Sequence, residues 1–102
     1  MPKKENLSDS IKYQSGTIVS RTLVNKPSGT VTLFAFDKDQ SLSEHTAPYD
    51  AMAYIIDGQA EIKIEEKLHK LSKGEMIIMP AGKAHALRAR AKFKMALIMI
   101  KS

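Results

Sequence analysis

Short stretches in which apolar and polar residues alternate follow one another along most of the chain, with turn residues between them. Within residues 60–65, for example, three apolar side chains alternate with those of Glu61, Lys63 and Glu65. A period of two is typical of a strand that buries one face and exposes the other. The pattern predicts strands at residues 17–25, 30–36, 41–46, 50–56, 60–65, 68–71, 75–79, 84–90 and 93–101.

Turn signals separate these predicted strands at short intervals. The clearest are KPSG at residues 26–29, DG at residues 57–58 and KG at residues 73–74, because proline and glycine favour the dihedral angles of turns. No window repeats apolar residues at helical spacing between caps, so little helix is expected. Many short antiparallel strands with frequent turns predict an all-β fold, either a sandwich or a barrel closed on itself.

Two of the predicted strands, at residues 50–56 and 93–101, are apolar on both faces. One face of each strand can line the interior of a barrel. The other face needs a cover, either the N-terminal strand or another subunit, because a contiguous exposed apolar surface is a liability in a small monomer. We therefore expect a homodimer with two-fold symmetry, which is the commonest closed assembly.

The length and composition of the chain are those of one globular domain. At 102 residues and 11.3 kDa, the chain is too short for two domains, and we expect residues 16–102 to form one, with residues 1–15 as an N-terminal extension or first strand. The 43% of hydrophobic and 26% of charged residues argue against long disorder. The absence of cysteine excludes disulfides, thiolate metal sites and cysteine nucleophiles. Histidine, aspartate and glutamate are left as candidates for chemistry.

The net charge of +5 raises the question of an anionic partner. The lysines are scattered over turns and alternate strand positions, and the few aromatic residues do not interleave with them as a stacking surface would. We therefore expect no nucleic-acid partner. The chain also lacks the ~20 consecutive apolar residues of a membrane span, so we expect no membrane association and a cytoplasmic location.

Residues 74–85, GEMIIMPAGKAH, combine a turn glycine, a buried strand, a Pro-x-Gly turn and a histidine that enters the next strand. This spacing resembles the second motif of the cupin superfamily, G-x5-P-x-G-x2-H-x3-N, at every position up to His85. The first cupin motif, G-x5-H-x-H-x3-E-x6-G, falls on residues 39–58, where His45 matches its first histidine and Gly58 its closing glycine. The resemblance implies a small single-domain cupin, whose fold is a jelly-roll or double-stranded β-helix barrel.

The chain departs from both motifs at several positions. Asp39 stands for the opening glycine, Ala47 for the second histidine, Ala51 for the glutamate and Ala89 for the final asparagine. In cupins with the complete set, two histidines and the glutamate of the first motif join the histidine of the second to hold a divalent metal inside the barrel. Only His45 and His85 carry over here as metal ligands.

Two imidazoles bind a divalent cation weakly, because such an ion usually takes at least three protein ligands. The resemblance therefore implies Zn, Ni, Mn or Fe, held weakly or not at all, and no nucleotide or organic cofactor. Asp50 and Glu44 are the carboxylates nearest in sequence to His45. Strand parity directs both away from it unless a bulge redirects them.

Side chains that alternate to the inner face of the predicted strands would line the expected barrel. They are Ala47, Tyr49, Ala51, Ala53, Leu87, Ala89, Phe93 and Met95. Alanine in place of the larger ligands predicts a mostly apolar pocket, with two imidazoles and Tyr49 as its polar groups, which suits a small organic ligand. His45 and His85 are also the catalytic candidates, since a neutral imidazole acts as a general acid or base near neutral pH.

Three functions of different classes stay open at this point, and whether the protein is an enzyme stays open with them. The first is a binding protein for a small organic ligand, with or without a weak metal. The second is an enzyme, either a metal-dependent oxygenase or isomerase or a metal-free histidine catalyst. The third is a protein with a vestigial pocket and a structural role as a dimer. The remaining histidine, His69, is interpreted as a satisfied polar group on a hairpin.

Overall fold

Antiparallel strands make up most of the protein, as the all-β prediction requires. The computed structural model describes residues 3–101. Its strands are β1 (Ile18–Lys26), β2 (Gly29–Phe36), β3 (Ser41–His45), β4 (Asp50–Ile64), β5 (Lys67–Ser72), β6 (Met76–Met79), β7 (His85–Arg88) and β8 (Phe93–Ile100), preceded by one turn of 3-10 helix at Leu7–Asp9. No helix within the described residues is long and apolar enough to cross a membrane.

The strands form two sheets that share β4. The first sheet runs β1, β2, β8, β4 and β6, and the second runs β3, β7, β4 and β5, with each neighbouring pair antiparallel. Because β4 is 15 residues long, its first half pairs with β8 and β6 and its second half with β7 and β5. One strand thus passes from sheet to sheet, and the two sheets enclose a common core.

The turn expected at Asp57 and Gly58 is instead a bulge inside β4, so the predicted strands on either side of it form one strand. The pairing with β8 shifts between Ile55 and Asp57, and Gly58 has a φ angle of +73°. An Asp-Gly pair favours positive φ in bulges as well as in turns. Here it bends the strand from the first sheet into the second.

The main core lies between the two sheets. Its largest fully buried side chains include Phe36, Phe93, Ile55, Ile62 and Met95. The rings of Phe36 and Phe93 stack with their centroids 4.5 Å apart. Burying a side chain of this size contributes ~1.5–3 kcal/mol before the entropy cost of ordering it, so this cluster fixes how the two sheets pack.

A second apolar cluster covers part of the outer face of the first sheet. Ile11, in the segment before β1, is 4% exposed and packs with Leu33, Ala35, Ile56 and Ala96. The N-terminal segment therefore supplies some of the cover that the two-faced strands need. It does so without strand structure, since no residue from 3 to 17 belongs to a strand.

Candidate functional site

His45 and His85 come together at one end of the second sheet. His45 is the last residue of β3 and His85 the first of β7, and their Cα atoms are paired across these antiparallel strands. The ring centroids are 4.3 Å apart and the ring planes are inclined by 70°. The two histidines therefore form an edge-to-face pair.

A bulge in β3 sets the direction of the His45 side chain. Leu42 is paired with Leu87 and His45 with His85, so three steps along β3 correspond to two along β7. Without the extra residue, alternation would direct Leu42 and His45 to opposite faces of the sheet. With it, Leu42 packs against the main core while His45 meets His85.

Backbone carbonyl groups determine the tautomers of both rings. Nδ1 of His45 lies 2.8 Å from the carbonyl oxygen of Ser43, and Nδ1 of His85 lies 3.3 Å from that of Lys83. Since a carbonyl oxygen only accepts, each neutral ring carries its proton on Nδ1 and donates it to the backbone. The lone pair of each ring is then on Nε2, which is able to accept a proton or a hydrogen bond, or to ligate a metal.

The two rings differ in exposure, and burial changes the pKa of the inner one. His85 is 6% exposed, whereas His45 is exposed. Burial, followed by the charge on His45, lowers the pKa of His85 below its ordinary value, and the hydrogen bond to the Lys83 carbonyl opposes this shift. His85 is therefore neutral at neutral pH, with its Nε2 lone pair intact.

The turn that precedes His85 is fixed against the loop between β3 and β4. The Gly82 amide donates to the Ala47 carbonyl at 2.8 Å, and the Ala81 amide donates to Asp50 Oδ1 at 2.8 Å. Asp50, one of the two carboxylates considered as a replacement metal ligand, is thus engaged with this turn. The other, Glu44, is exposed.

The predicted pocket residues fall into two groups. Six belong to the main core and are at most 4% exposed: Ala51, Ala53, Leu87, Ala89, Phe93 and Met95. The other two lie in the loop after His45, where Ala47 is half-buried and Tyr49 is 37% exposed. The inner alanines are therefore part of the packed core, and the two loop residues are the predicted lining that solvent reaches.

Lys101 is a neighbour of Tyr49 that the sequence pattern did not single out. Its ammonium nitrogen lies 5.9 Å from the centre of the Tyr49 ring, within the range of a cation–π contact. In the predicted strand at residues 93–101, Lys101 lies an even number of residues after Met95, so both side chains are expected on the same face of the strand. This pattern could have identified Lys101 as a neighbour of the predicted lining.

Two imidazoles are the donor set of this site. Within residues 3–101, no group of three or more histidine, aspartate or glutamate side chains is placed to share a metal ion. Ala47 and Ala51 occupy the two remaining motif positions and offer no side-chain donor atom. This set does not fit a tightly held divalent cation, which takes three or four protein ligands.

Comparison with known proteins identifies a family for this chain. A family model described as "Cupin domain" matches residues 32–101, which include both histidines. Among curated proteins, none matches the chain.

Three solved structures illustrate the likeness. A conserved protein of unknown function from Streptococcus pyogenes is 36% identical, with a TM-score of 0.94, over 100% of this chain and 90% of its own. A cupin 2 conserved barrel domain protein from Leptotrichia buccalis is 39% identical, with a TM-score of 0.92, over 95% of this chain and 47% of its own, so this chain spans about half of that protein. A cupin superfamily protein from Desulfitobacterium hafniense is 25% identical, with a TM-score of 0.92, over 100% of this chain and 95% of its own.

Proposed function

The chain belongs to the cupin domain family, and on this premise we propose that it binds a small organic ligand at the pair formed by His45 and His85. The family match and the solved structures confirm the predicted cupin barrel. The observation that carries the proposal is the 4.3 Å separation of the two ring centroids, because it gives one ligand two imidazoles to contact.

The tautomers of the pair indicate which groups the ligand presents. Both Nδ1 atoms face backbone carbonyls, so both Nε2 atoms accept hydrogen bonds. A matching ligand carries hydroxyl or N–H donors, as sugars and phenols do. The exposed His45 would meet the ligand first, and Tyr49, which is 37% exposed in the loop that follows His45, would supply an aromatic face and a phenol group.

We propose at most a weak role for a divalent metal. Zinc or nickel suits imidazole nitrogen, but a pair of imidazoles leaves most of the coordination positions to water or to the ligand. Such an ion would exchange readily, so the organic ligand, and not the metal, is the main occupant in this proposal.

Calorimetric titration and thermal shift with a panel of sugars, phenols and small carboxylates, with and without zinc or nickel, test the binding function. We expect at least one compound to stabilise the wild type, and His45→Ala and His85→Ala to weaken its binding by about tenfold or more, because each removes a hydrogen-bond acceptor. His69→Ala is the matched control, since His69 lies on β5, outside the pair. Binding that survives both site variants, or no binding across the panel, would contradict the proposal.

Metal-free acid–base catalysis is a second candidate function, favoured by the contrast between the two rings. The buried His85 is neutral at neutral pH and suits a general base, while His45 beside it is open to solvent. The donor set gives no support to a metal-dependent oxygenase or isomerase. For a substrate found by screening, His85→Ala should abolish turnover and leave the melting temperature nearly unchanged; full residual activity would exclude this role.

We also propose that the protein assembles as a two-fold homodimer through the outer face of the first sheet. The strand register aligns one apolar residue from each of five strands in a row across that face: Val24, Val31, Ile98, Met52 and Ile78. The ends of this row, Val24 and Ile78, are 43% and 47% exposed. A second copy of the same face would bury the row, and this assembly is the basis of the third, structural function.

A further inference from the structure

A groove on the outer face of the second sheet combines cationic, acidic and apolar side chains. Strand pairing places two rows side by side on this face: Ser41, Arg88 and Glu61 in one, and Ala86, Lys63 and Leu68 in the other. The groove between them has a volume of about 400 Å³, which is within the roughly 300–1,000 Å³ of small-molecule sites. Ala86 and His85 are consecutive residues of β7, so the groove and the histidine pair lie on opposite faces of this sheet.

Glu61 is buried although it lies on the outer face of the sheet. It is 8% exposed, and a carboxylate so covered needs a charged or hydrogen-bonding partner. The partner is Arg90, whose Nε lies 2.6 Å from Oε2 of Glu61. The Arg90 side chain is itself 66% exposed, so its two terminal nitrogens, which carry most of its N–H groups, are left to contact another acceptor.

The charges that line the groove are not balanced. Lys63, Arg88 and Arg90 contribute three positive charges against the single negative charge of Glu61, an excess of two. Within residues 3–101, no carboxylate lies within ion-pair distance of Lys63 or Arg88. An anion in the groove would therefore be attracted, and arginine presents it with paired N–H donors.

Two apolar side chains lie in the second row, one on each side of Lys63. Leu68 is 51% exposed, and Ala86 is half-buried. A ligand that uses the whole groove therefore needs an apolar body as well as an anionic end.

We propose that this groove binds an amphipathic organic acid, with its carboxylate on Arg90 and Arg88 and its apolar body against Leu68 and Ala86. Glu61 acts as a positioning residue, because its ion pair with Nε orients the guanidinium of Arg90 toward the carboxylate. The inference goes beyond the function proposed for the histidines and does not depend on it.

Titration of the 15N-labelled protein with octanoate, followed by amide chemical shifts, tests the site. We expect saturable shifts at Glu61, Lys63, Ala86 and Arg88, and none from octanol or octylammonium at equal concentration. Arg90→Gln should weaken octanoate binding by about tenfold or more, since it removes a charged hydrogen-bond donor. Lys83→Gln is the matched control, because it removes one positive charge from an exposed residue outside the groove.

Glu61→Gln separates positioning from simple charge. By Coulomb's law alone, loss of a negative charge from the groove strengthens the binding of an anion. If Glu61 orients Arg90, the same substitution weakens octanoate binding and speeds the exchange of the Arg90 Nε–H resonance with water. Tighter binding in Glu61→Gln, with the amide spectrum of a folded protein, would overturn the positioning role.

Three outcomes would overturn the site itself. Octanoate shifts confined to residues around His45 and His85 would place the ligand in the barrel mouth. Inorganic phosphate that binds as tightly as octanoate would remove any role for Leu68 and Ala86. Binding of heparin or duplex DNA at these residues, without binding of octanoate, would identify the groove as a polyanion surface.

Discussion

Asp39 and Ala89, the first position of one motif and the last position of the other, are joined by a backbone hydrogen bond. The Asp39 amide donates to the Ala89 carbonyl at 2.6 Å, and the Ala89 amide donates to the carbonyl of Gln40 at 2.9 Å. Asp39 has a φ angle of 72°, in the left-handed region that glycine adopts without strain. The two motifs thus meet at a backbone contact. It requires a left-handed backbone conformation at position 39 and no particular side chain at position 89.

The backbone at Asp39 predicts unequal effects for two substitutions. Asp39→Gly should change the free energy of unfolding by less than ~1 kcal/mol, because the relief of strain is offset by the greater freedom of glycine in the unfolded chain. Asp39→Val should lower it by about 1–2 kcal/mol, since a β-branched residue is poorly suited to positive φ. Urea unfolding measures both, with Lys38→Val at the neighbouring exposed position as the control. Equal losses at positions 38 and 39 would contradict the prediction.

Gly58 is expected to be the least replaceable glycine of the chain. A β-carbon there would lie 2.2 Å from the Lys92 carbonyl oxygen, whereas nothing lies within 4 Å of one added at Gly74 or Gly82. All three have positive φ, so alanine costs ~1 kcal/mol at each for the backbone conformation alone. Gly58→Ala should cost on the order of 3 kcal/mol or more, because the bulge of β4 must also move. Similar unfolding free energies for the three alanine variants would show that the bulge adjusts freely.

The strands and the histidine pair could be predicted from the sequence, because the strands show alternating apolar residues and the histidines lie at the spacing of two known motifs. Alternation predicts a strand wherever one face is buried, as it does for residues 60–65 around Ile62. The spacing of the two motifs indicated His45 and His85 as the residues to bring together, and the structure pairs their rings.

The features that sequence reasoning missed depend on contacts between distant residues. The bulge in β3 that directs His45 toward His85 changes the parity by one residue, which no local pattern reports. Glu61 alternates as a solvent-facing residue, yet Arg90 and the surrounding side chains bury it. Asp57 and Gly58 are equally compatible with a turn and with a bulge, and only the pairing with β8 decides between them.

Histidine protonation gives the stability a specific dependence on pH. The pKa of His85 is lowered from 6.5 by burial and by the charge on His45, so the unfolded chain binds the proton more readily than the folded one. The contribution of His85 to the free energy of unfolding is therefore complete above pH 6.5 and is lost as the pH falls through the lowered pKa. We expect urea midpoints of the wild type to drop over this range more steeply than those of His85→Gln, which has no proton to bind there. Parallel curves would contradict the assignment.

The proposed dimer predicts a change in mass from a single substitution. Ile78→Lys places a charge in the exposed end of the apolar row on the first sheet, and burying an unpaired ammonium in an interface is costly. Light scattering should give twice the chain mass of 11.3 kDa for the wild type and 11.3 kDa for the variant. Leu68→Lys, at an equally exposed leucine on the other sheet, is the control and should stay dimeric. A wild-type mass near that of one chain would exclude the assembly.

Two substitutions are expected to turn the histidine pair into a tight metal site. Ala47→His and Ala51→Glu together supply the two missing donors of the motif, and four protein ligands suffice for zinc. Ala51 is 4% exposed, so without metal its glutamate is a buried charge and the double variant should be less stable than the wild type. Metal at about one hundred times its dissociation constant should return ~2.7 kcal/mol of that loss.

Plasma mass spectrometry for bound zinc, with melting temperatures measured with and without it, checks this expectation. Ala47→His combined with Ala53→Glu is the matched control. Ala53 lies two residues after Ala51 on β4, so its side chain points to the same face of the strand, but it is fully buried and is outside the motif. Its glutamate should destabilise, and zinc should restore less stability than in the Ala51 variant, because only three imidazoles remain as donors and the carboxylate is displaced along the strand from them. If the Ala51 variant takes up no more zinc than the wild type, the motif positions do not converge on His45 and His85. The two histidines would then contact a ligand only through their own ring nitrogens, without a metal site.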